Sequence, residues 1–194
     1  MQVLIVYAHP NPQSFNHAIV ESFTKGLAES GHTYEVADLY ASNFNPCLSG
    51  GDLAQLMEGK TPDDIRVQQE KISQADALVF VHPIWWFAPP AILKGWIDRV
   101  LSMGFAFIID EKDGHPVGLL KNQKALIINT AGGTEEEAKT LGSTDALKKI
   151  AGDLTLRFCG INNIEHVMFY NVIMADEATL KGYLEQAETL GKNF

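Results

Sequence analysis

Cysteine is nearly absent from this chain: Cys47 and Cys159 are the only two in 194 residues. They stand far apart and in no metal-ligand spacing, which argues against a disulfide scaffold and reads as reduced thiols in a cytoplasmic setting. Long apolar runs are missing as well. No stretch is long enough to cross a bilayer, and the first residues lack the basic leader and cleavage site of a secretory signal. Positive charge is scarce: 15 Lys and Arg against 24 Asp and Glu leave a formal charge of -9. That surface opposes nucleic acid, whose phosphates demand basic partners. One phosphorylated small ligand stays compatible with it, because backbone amides at a helix N-terminus hold an anion without lysine. There is no internal repeat, low-complexity run or linker-like stretch, so residues 1–194 are expected to form a single domain.

What is present is an alternation of two periodicities. Val3 to Tyr7 is a nearly continuous apolar run, the mark of a parallel strand buried on both faces. Ile19, Phe23 and Leu27 follow at helical spacing, with Gly31 placed to stop the helix. Tyr34 to Leu39, Ala77 to Val81, Ala125 to Asn129 and Ile164 to Tyr170 read as four more strands. Between them, Ile92, Leu93, Trp96, Ile97 and Val100 predict a helix from Pro90 to Met103, closed by Gly104. Leu147, Ile150, Leu154 and Phe158 predict another, ending at Gly160. Asp176 is placed to cap a last helix through Leu180, Leu184, Ala187 and Leu190. The residues from Tyr40 to Thr61 show no clear period and read as a long functional or mobile loop. Five strands interleaved with helices imply an α/β fold: a five-stranded parallel sheet, doubly wound, with helices on both faces.

Ligands of such sheets bind beyond the carboxyl ends of the strands, so the loops there carry the chemistry. After the first strand comes His9-Pro10-Asn11-Pro12-Gln13-Ser14-Phe15-Asn16. It contains neither the Gly-rich dinucleotide fingerprint nor a P-loop. Ser14 and Asn16 either add donors to a phosphate at the helix N-terminus, or Ser14 is an ordinary cap; the local sequence leaves both open. After the third strand, Pro83-Ile84-Trp85-Trp86-Phe87 sets three adjacent aromatics in a proline-fixed loop, suited to wall a flat heteroaromatic ring or to plug an interface. After the fourth, Thr130-Ala131-Gly132-Gly133 offers amides unobstructed by side chains, or a simple turn. His82 reads as filling a polar corner, and the histidines show no metal spacing.

Taken with Asp38-Leu39-Tyr40-Ala41, Asn43-Phe44-Asn45-Pro46, Pro90-Ala91-Ile92-Leu93-Lys94-Gly95-Trp96 and Gly104-Phe105-Ala106-Phe107, these loops resemble the flavodoxin-like NAD(P)H:quinone oxidoreductase family over nearly the whole chain. The resemblance implies a flavin cofactor, with FAD favoured and FMN possible, and NAD(P)H as cosubstrate. It sets His9, Ser14, Phe15 and Asn16 around the flavin phosphates. Pro83, Ile84, Trp85, Trp86 and Phe87 would run along the isoalloxazine ring, and Thr130, Ala131, Gly132 and Gly133 would meet its polar edge. It implies a homodimer in which Phe107 approaches the partner's flavin, and a small quinone-like acceptor as the oxidant. Hydride would pass from nicotinamide to flavin N5 and then to that acceptor. One departure stands out. Larger family members carry a tyrosine and a histidine shortly after Gly-Gly, where this chain has Glu135-Glu136-Glu137-Ala138, so no general acid is assigned. Two other readings stay open: a flavodoxin-type electron carrier, and a cytosolic regulatory subunit of a potassium-efflux transporter.

Overall fold

In the first strand, alternate side chains are buried on opposite faces of one sheet, so the strand has no solvent side. Val3, Ile5 and Tyr7 join one core cluster, while Leu4, Val6 and Ala8 join the other. The computed structural model describes residues 1–194. Its main sheet contains β1 (Gln2–Tyr7), β2 (Thr33–Asp38), β3 (Ala77–Pro83), β6 (Lys124–Thr130) and β7 (Ile164–Phe169). Their spatial order is β2-β1-β3-β6-β7, and every pairing is parallel. A separate antiparallel hairpin joins β4 (Phe107–Ile109) to β5 (Pro116–Gly118).

One face is covered by α1 (Phe15–Glu29) and α7 (Glu177–Lys192), through Ile19, Phe23, Leu27 and Ala187. These two helices meet at glycines. A Cβ on Gly26 would overlap the carbonyl oxygen of Glu188, and one on Gly191 would overlap that of Phe23. The other face is covered by α3 (Asp63–Gln74), α4 (Ala91–Val100) and a π-helix at Lys149–Arg157. The short helices α5 (Glu135–Thr140) and α6 (Ser143–Lys148) precede the π-helix.

Three expectations need correction. The stretch from Tyr40 to Thr61 is not a bare loop: it holds α2 (Gly50–Met57), started by a capping box between Ser49 and Asp52. Nor is it loosely held. Arg99, 3% exposed, binds Asp52, Asp64 and the carbonyl of Asn45 and lies over the ring of Phe44. Second, the helix read from Pro90 to Met103 is shorter, because Pro90 is its cap and the backbone leaves the helix at Leu101. Its apolar face is spent on the chain's own core through Leu93, Trp96 and Val100. Third, the stripe Ile150, Leu154 and Phe158 is exposed, not core. The π-helix closes its bonds at i to i+5 and shifts the phase, so that Leu156 faces the sheet instead.

Candidate functional site

All five main strands run the same way, so the ends of β1, β3, β6 and β7 bring four loops to one edge. The residues expected on the first three are drawn together there. Asn16 Nδ2 donates to Thr130 Oγ1 at 2.8 Å, tying the first loop to the third. The rings of His9 and Trp85 lie 5.8 Å apart, tying the first to the second. Ile84 N–H donates to the carbonyl of Thr130 at 2.8 Å, tying the second to the third.

Between the second and third loops lies a cavity of about 410 Å³, in the size range of small-molecule sites. Of the expected residues it is lined by Ile84, Trp86, Phe87, Ala131, Gly132 and Gly133. The others stand elsewhere. Pro83 and Thr130 are buried at their strand ends, and Trp85 faces His9 outside the cavity. Phe15 turns towards Tyr183 of α7, with ring centroids 6.4 Å apart, and serves packing. Ser14 is the N-cap of α1: its Oγ accepts from His17 N–H and lies 3.2 Å from the Tyr7 hydroxyl. Asn16 is 4% exposed and its amide donor is committed to Thr130, while Oδ1 has no partner. As placed, Asn16 offers a ligand the acceptor Oδ1 beside an amide nitrogen tied to Thr130.

The aromatic loop is a tight turn. Trp85 and Ala88 exchange both backbone hydrogen bonds, at 3.0 and 3.1 Å. Trp86 and Phe87 between them have φ of 51° and 56°. Positive φ at both central positions defines a type I′ turn, whose favoured residues are Asn and Gly. Two bulky aromatics there cost of order 1–3 kcal/mol each. Trp86 is 95% exposed, so packing within the chain does not repay that cost.

A buried polar chain crosses the sheet just below these loops. His82 Nδ1 lies 3.0 Å from the Pro83 carbonyl, which can only accept, so this nitrogen carries the proton. Asn129 Nδ2 then donates to His82 Nε2 at 3.0 Å, and Asn129 Oδ1 accepts from His166 Nε2 at 2.6 Å. The chain runs one way and fixes His82 as the neutral, Nδ1-protonated imidazole. Burial pushes His82 down to about 4, and burial together with His82 and Lys148 pushes His166 there too.

The sequence reading missed the fourth loop, after β7. Asn171 N–H donates to the Gly133 carbonyl at 2.8 Å and Val172 N–H to that of Ala131 at 3.1 Å, seating this loop on the third. Tyr170 thereby joins Met168, Leu141, Ser143 and Leu147 in the cavity wall. The signal was the fifth strand's carboxyl end, which belongs to the same edge as the other three. Glu135 and Glu136 are solvated, but Glu137 closes a capping box with Thr134 and lines the cavity.

Residues 1–190 match a family model described as a flavodoxin-like fold. The chain is 38% identical over 188 residues to a protein of Haemophilus influenzae named "Uncharacterized NAD(P)H oxidoreductase", covering 96% of this chain and 92% of that one. It is 32% identical to NAD(P)H dehydrogenase [quinone] 1 of Rattus norvegicus, over 97% of this chain and 77% of the relative. The solved NAD(P)H:quinone oxidoreductase of Methanothermobacter marburgensis superposes with a TM-score of 0.92 at 34% identity, over 100% of this chain and 98% of that one.

Proposed function

From the chain's membership of the flavodoxin-like fold family, to which it belongs over residues 1–190, we infer a flavin-dependent NAD(P)H oxidoreductase that reduces quinone-like acceptors. The observation that carries this reading is the cavity between the strained aromatic turn and the Gly-Gly loop, at the carboxyl ends of parallel strands. The residues fit the cofactor. Asn16 Oδ1, buried and unpartnered, is an acceptor of the kind a ribityl hydroxyl needs. A Cβ on Gly132 would crowd the flexible tip of Ile173, 2.9 Å away, so the glycine gives the fourth loop room beside the cavity.

Ile84, Trp86 and Phe87 would wall one side of the ring, and the amides of Gly132 and Gly133 would address its polar edge, the Ala131 N–H being held by the Phe169 carbonyl. Ser14 sets the start of α1, whose N-terminus favours the phosphate; His9, braced by Trp85, closes that end. A bound flavin supplies two-electron hydride chemistry between nicotinamide and acceptor, while the protein positions the partners and excludes side reactions. We favour FAD over FMN on the Asn43-Phe44-Asn45-Pro46 stretch, which Arg99 and Gly95 clamp beside the sheet.

The exposed stripe of Ile150, Leu154 and Phe158, continued by Phe107 against Phe158 at 4.9 Å, supports a twofold dimer that brings Phe107 to the partner's flavin. A single compact domain in the cytoplasm is the accompanying expectation. Purified protein should be yellow and release about one flavin per chain on denaturation, identified as FAD by mass. The bound flavin should bleach on mixing with NADH or NADPH and recolour with a quinone. Protein that takes up neither FAD nor FMN refutes the reading. Flavin reduced only through a separate reductase marks a carrier instead. Ile150→Asp with Leu154→Asp should yield monomers in sedimentation velocity, and an unchanged dimer would place the interface elsewhere.

A further inference from the structure

We propose that Tyr170, held by Thr144, is the hydrogen-bond donor that receives the acceptor's carbonyl oxygen in the cavity beside the aromatic turn. The proposal rests on the reading of that cavity as the redox site and adds to it the group that recognises the acceptor.

Besides the Met168 thioether and the solvent-exposed Trp86 indole, four side chains with polar atoms line the cavity: Thr134, Glu137, Ser143 and Tyr170. Three are committed. The Glu137 carboxylate accepts from Thr134 N–H at 2.7 Å and from Thr134 Oγ1 at 3.0 Å, bonds that hold it below the usual carboxylate range. It therefore has no proton to give, and the Thr134 hydroxyl proton is spent on it. Ser143 Oγ donates to the carbonyl of Ala138 at 3.3 Å.

Tyr170 is different. Its hydroxyl lies 2.7 Å from Thr144 Oγ1, and Thr144 Oγ1 makes no other hydrogen bond. Two hydroxyl protons thus share one contact, and one proton is left over. Its other outlet within the protein is the Met168 thioether at 3.5 Å, a weak acceptor. With Thr144 donating, the Tyr170 hydroxyl is polarised and becomes the stronger donor. Tyr170 also forms part of the wall shared with an adjoining polar cleft, which is lined by Thr144 as well, so the pair sits where the apolar cavity meets polar surroundings. A quinone carbonyl gains negative charge as hydride arrives, and a preset donor at that point stabilises it. Tyr170 gives a hydrogen bond and retains its proton; the proton that completes the hydroquinone comes from water.

The test uses flavin-loaded, oxidised protein, so loss of flavin is seen in the spectrum before any titration and counts against the cavity reading alone. Two probes are titrated, 2-methyl-1,4-naphthoquinone and 2-methylnaphthalene, the same ring without carbonyls. Tyr170→Phe should weaken the quinone about tenfold and leave the hydrocarbon within about twofold, because only the donor is removed. Thr144→Val should weaken the quinone about threefold, and Thr144→Ser should restore it. In turnover, KM for the quinone should rise in both weakened variants. Unchanged quinone binding in Tyr170→Phe overturns the proposal. Equal loss of both probes also overturns it, since that marks a packing defect. Wild-type behaviour in Thr144→Val overturns the positioning role of Thr144.

Discussion

Trp85 and Ala88 are joined by a reciprocal pair of backbone hydrogen bonds, and the two residues they enclose carry the backbone strain of the whole aromatic loop. If Trp86 and Phe87 are held there for a ligand, removing them should help the empty protein. Trp86→Asn with Phe87→Gly gives the sequence that a type I′ turn prefers. The flavin-free double variant should be more stable than wild type by about 1–2 kcal/mol in urea, while its flavin affinity falls at least tenfold. A destabilised double variant would show that the aromatics serve the fold.

Gly95 makes a different kind of demand. A Cβ there would overlap the carbonyl and side chain of Pro46, and the neighbour is backbone held by Arg99. Gly95→Ala should cost about 1–3 kcal/mol, measured by urea unfolding. A neutral result would mean that the 43–49 stretch is free to move away.

The buried His82–Asn129–His166 chain sets an acid limit on stability. Both imidazoles have folded values near 4, below the ordinary value of 6.5. The unfolded chain therefore takes up protons first as pH falls. Stability is full above about 6.5, declines between about 6.5 and 4, and levels off below, for a total of a few kcal/mol. His166→Gln should flatten the decline in urea midpoints across that window. A midpoint that stays constant from pH 7 to 4 in wild type contradicts the neutral, buried assignment.

The two thiols should behave oppositely. Cys47 is exposed, while Cys159 is buried and burial pushes its thiol up to about 11. A thiol reagent at neutral pH should label one cysteine per native chain, Cys47, and two after denaturation. Rapid labelling of Cys159 in native protein would show that the π-helix end opens readily.

The sheet was legible because each central strand is apolar on both sides, and Val3 to Tyr7 or Ala125 to Asn129 has no other reading. The first three loops were legible once the strands were placed, because parallel order alone decides which edge they share. What escaped depended on backbone geometry that residue types do not advertise. Trp86 and Phe87 are poor αL residues, and nothing in their sequence announces positive φ. The stripe at Ile150, Leu154 and Phe158 was correctly apolar, but a π-helix turned it to solvent. In α3 the buried positions include Gln68 and Gln69, which Trp96, Val100 and Ser102 satisfy from elsewhere in the chain. The tie from Asn16 to Thr130, more than a hundred residues away in sequence, was likewise invisible in the local sequence.

The glycine seam between α1 and α7 has a consequence for how the molecule breathes. With backbone laid on backbone at Gly26 and Gly191, neither helix can loosen without the other. Cooperative opening units follow such contacts. The C-terminal helix, exposed along most of its length, should exchange its amide hydrogens as slowly as α1 does. Because α1 begins at the end of the site where the flavin phosphate is proposed to bind, ligand uptake there should slow exchange in α7 as well, a mark of occupancy some 160 residues further along the chain.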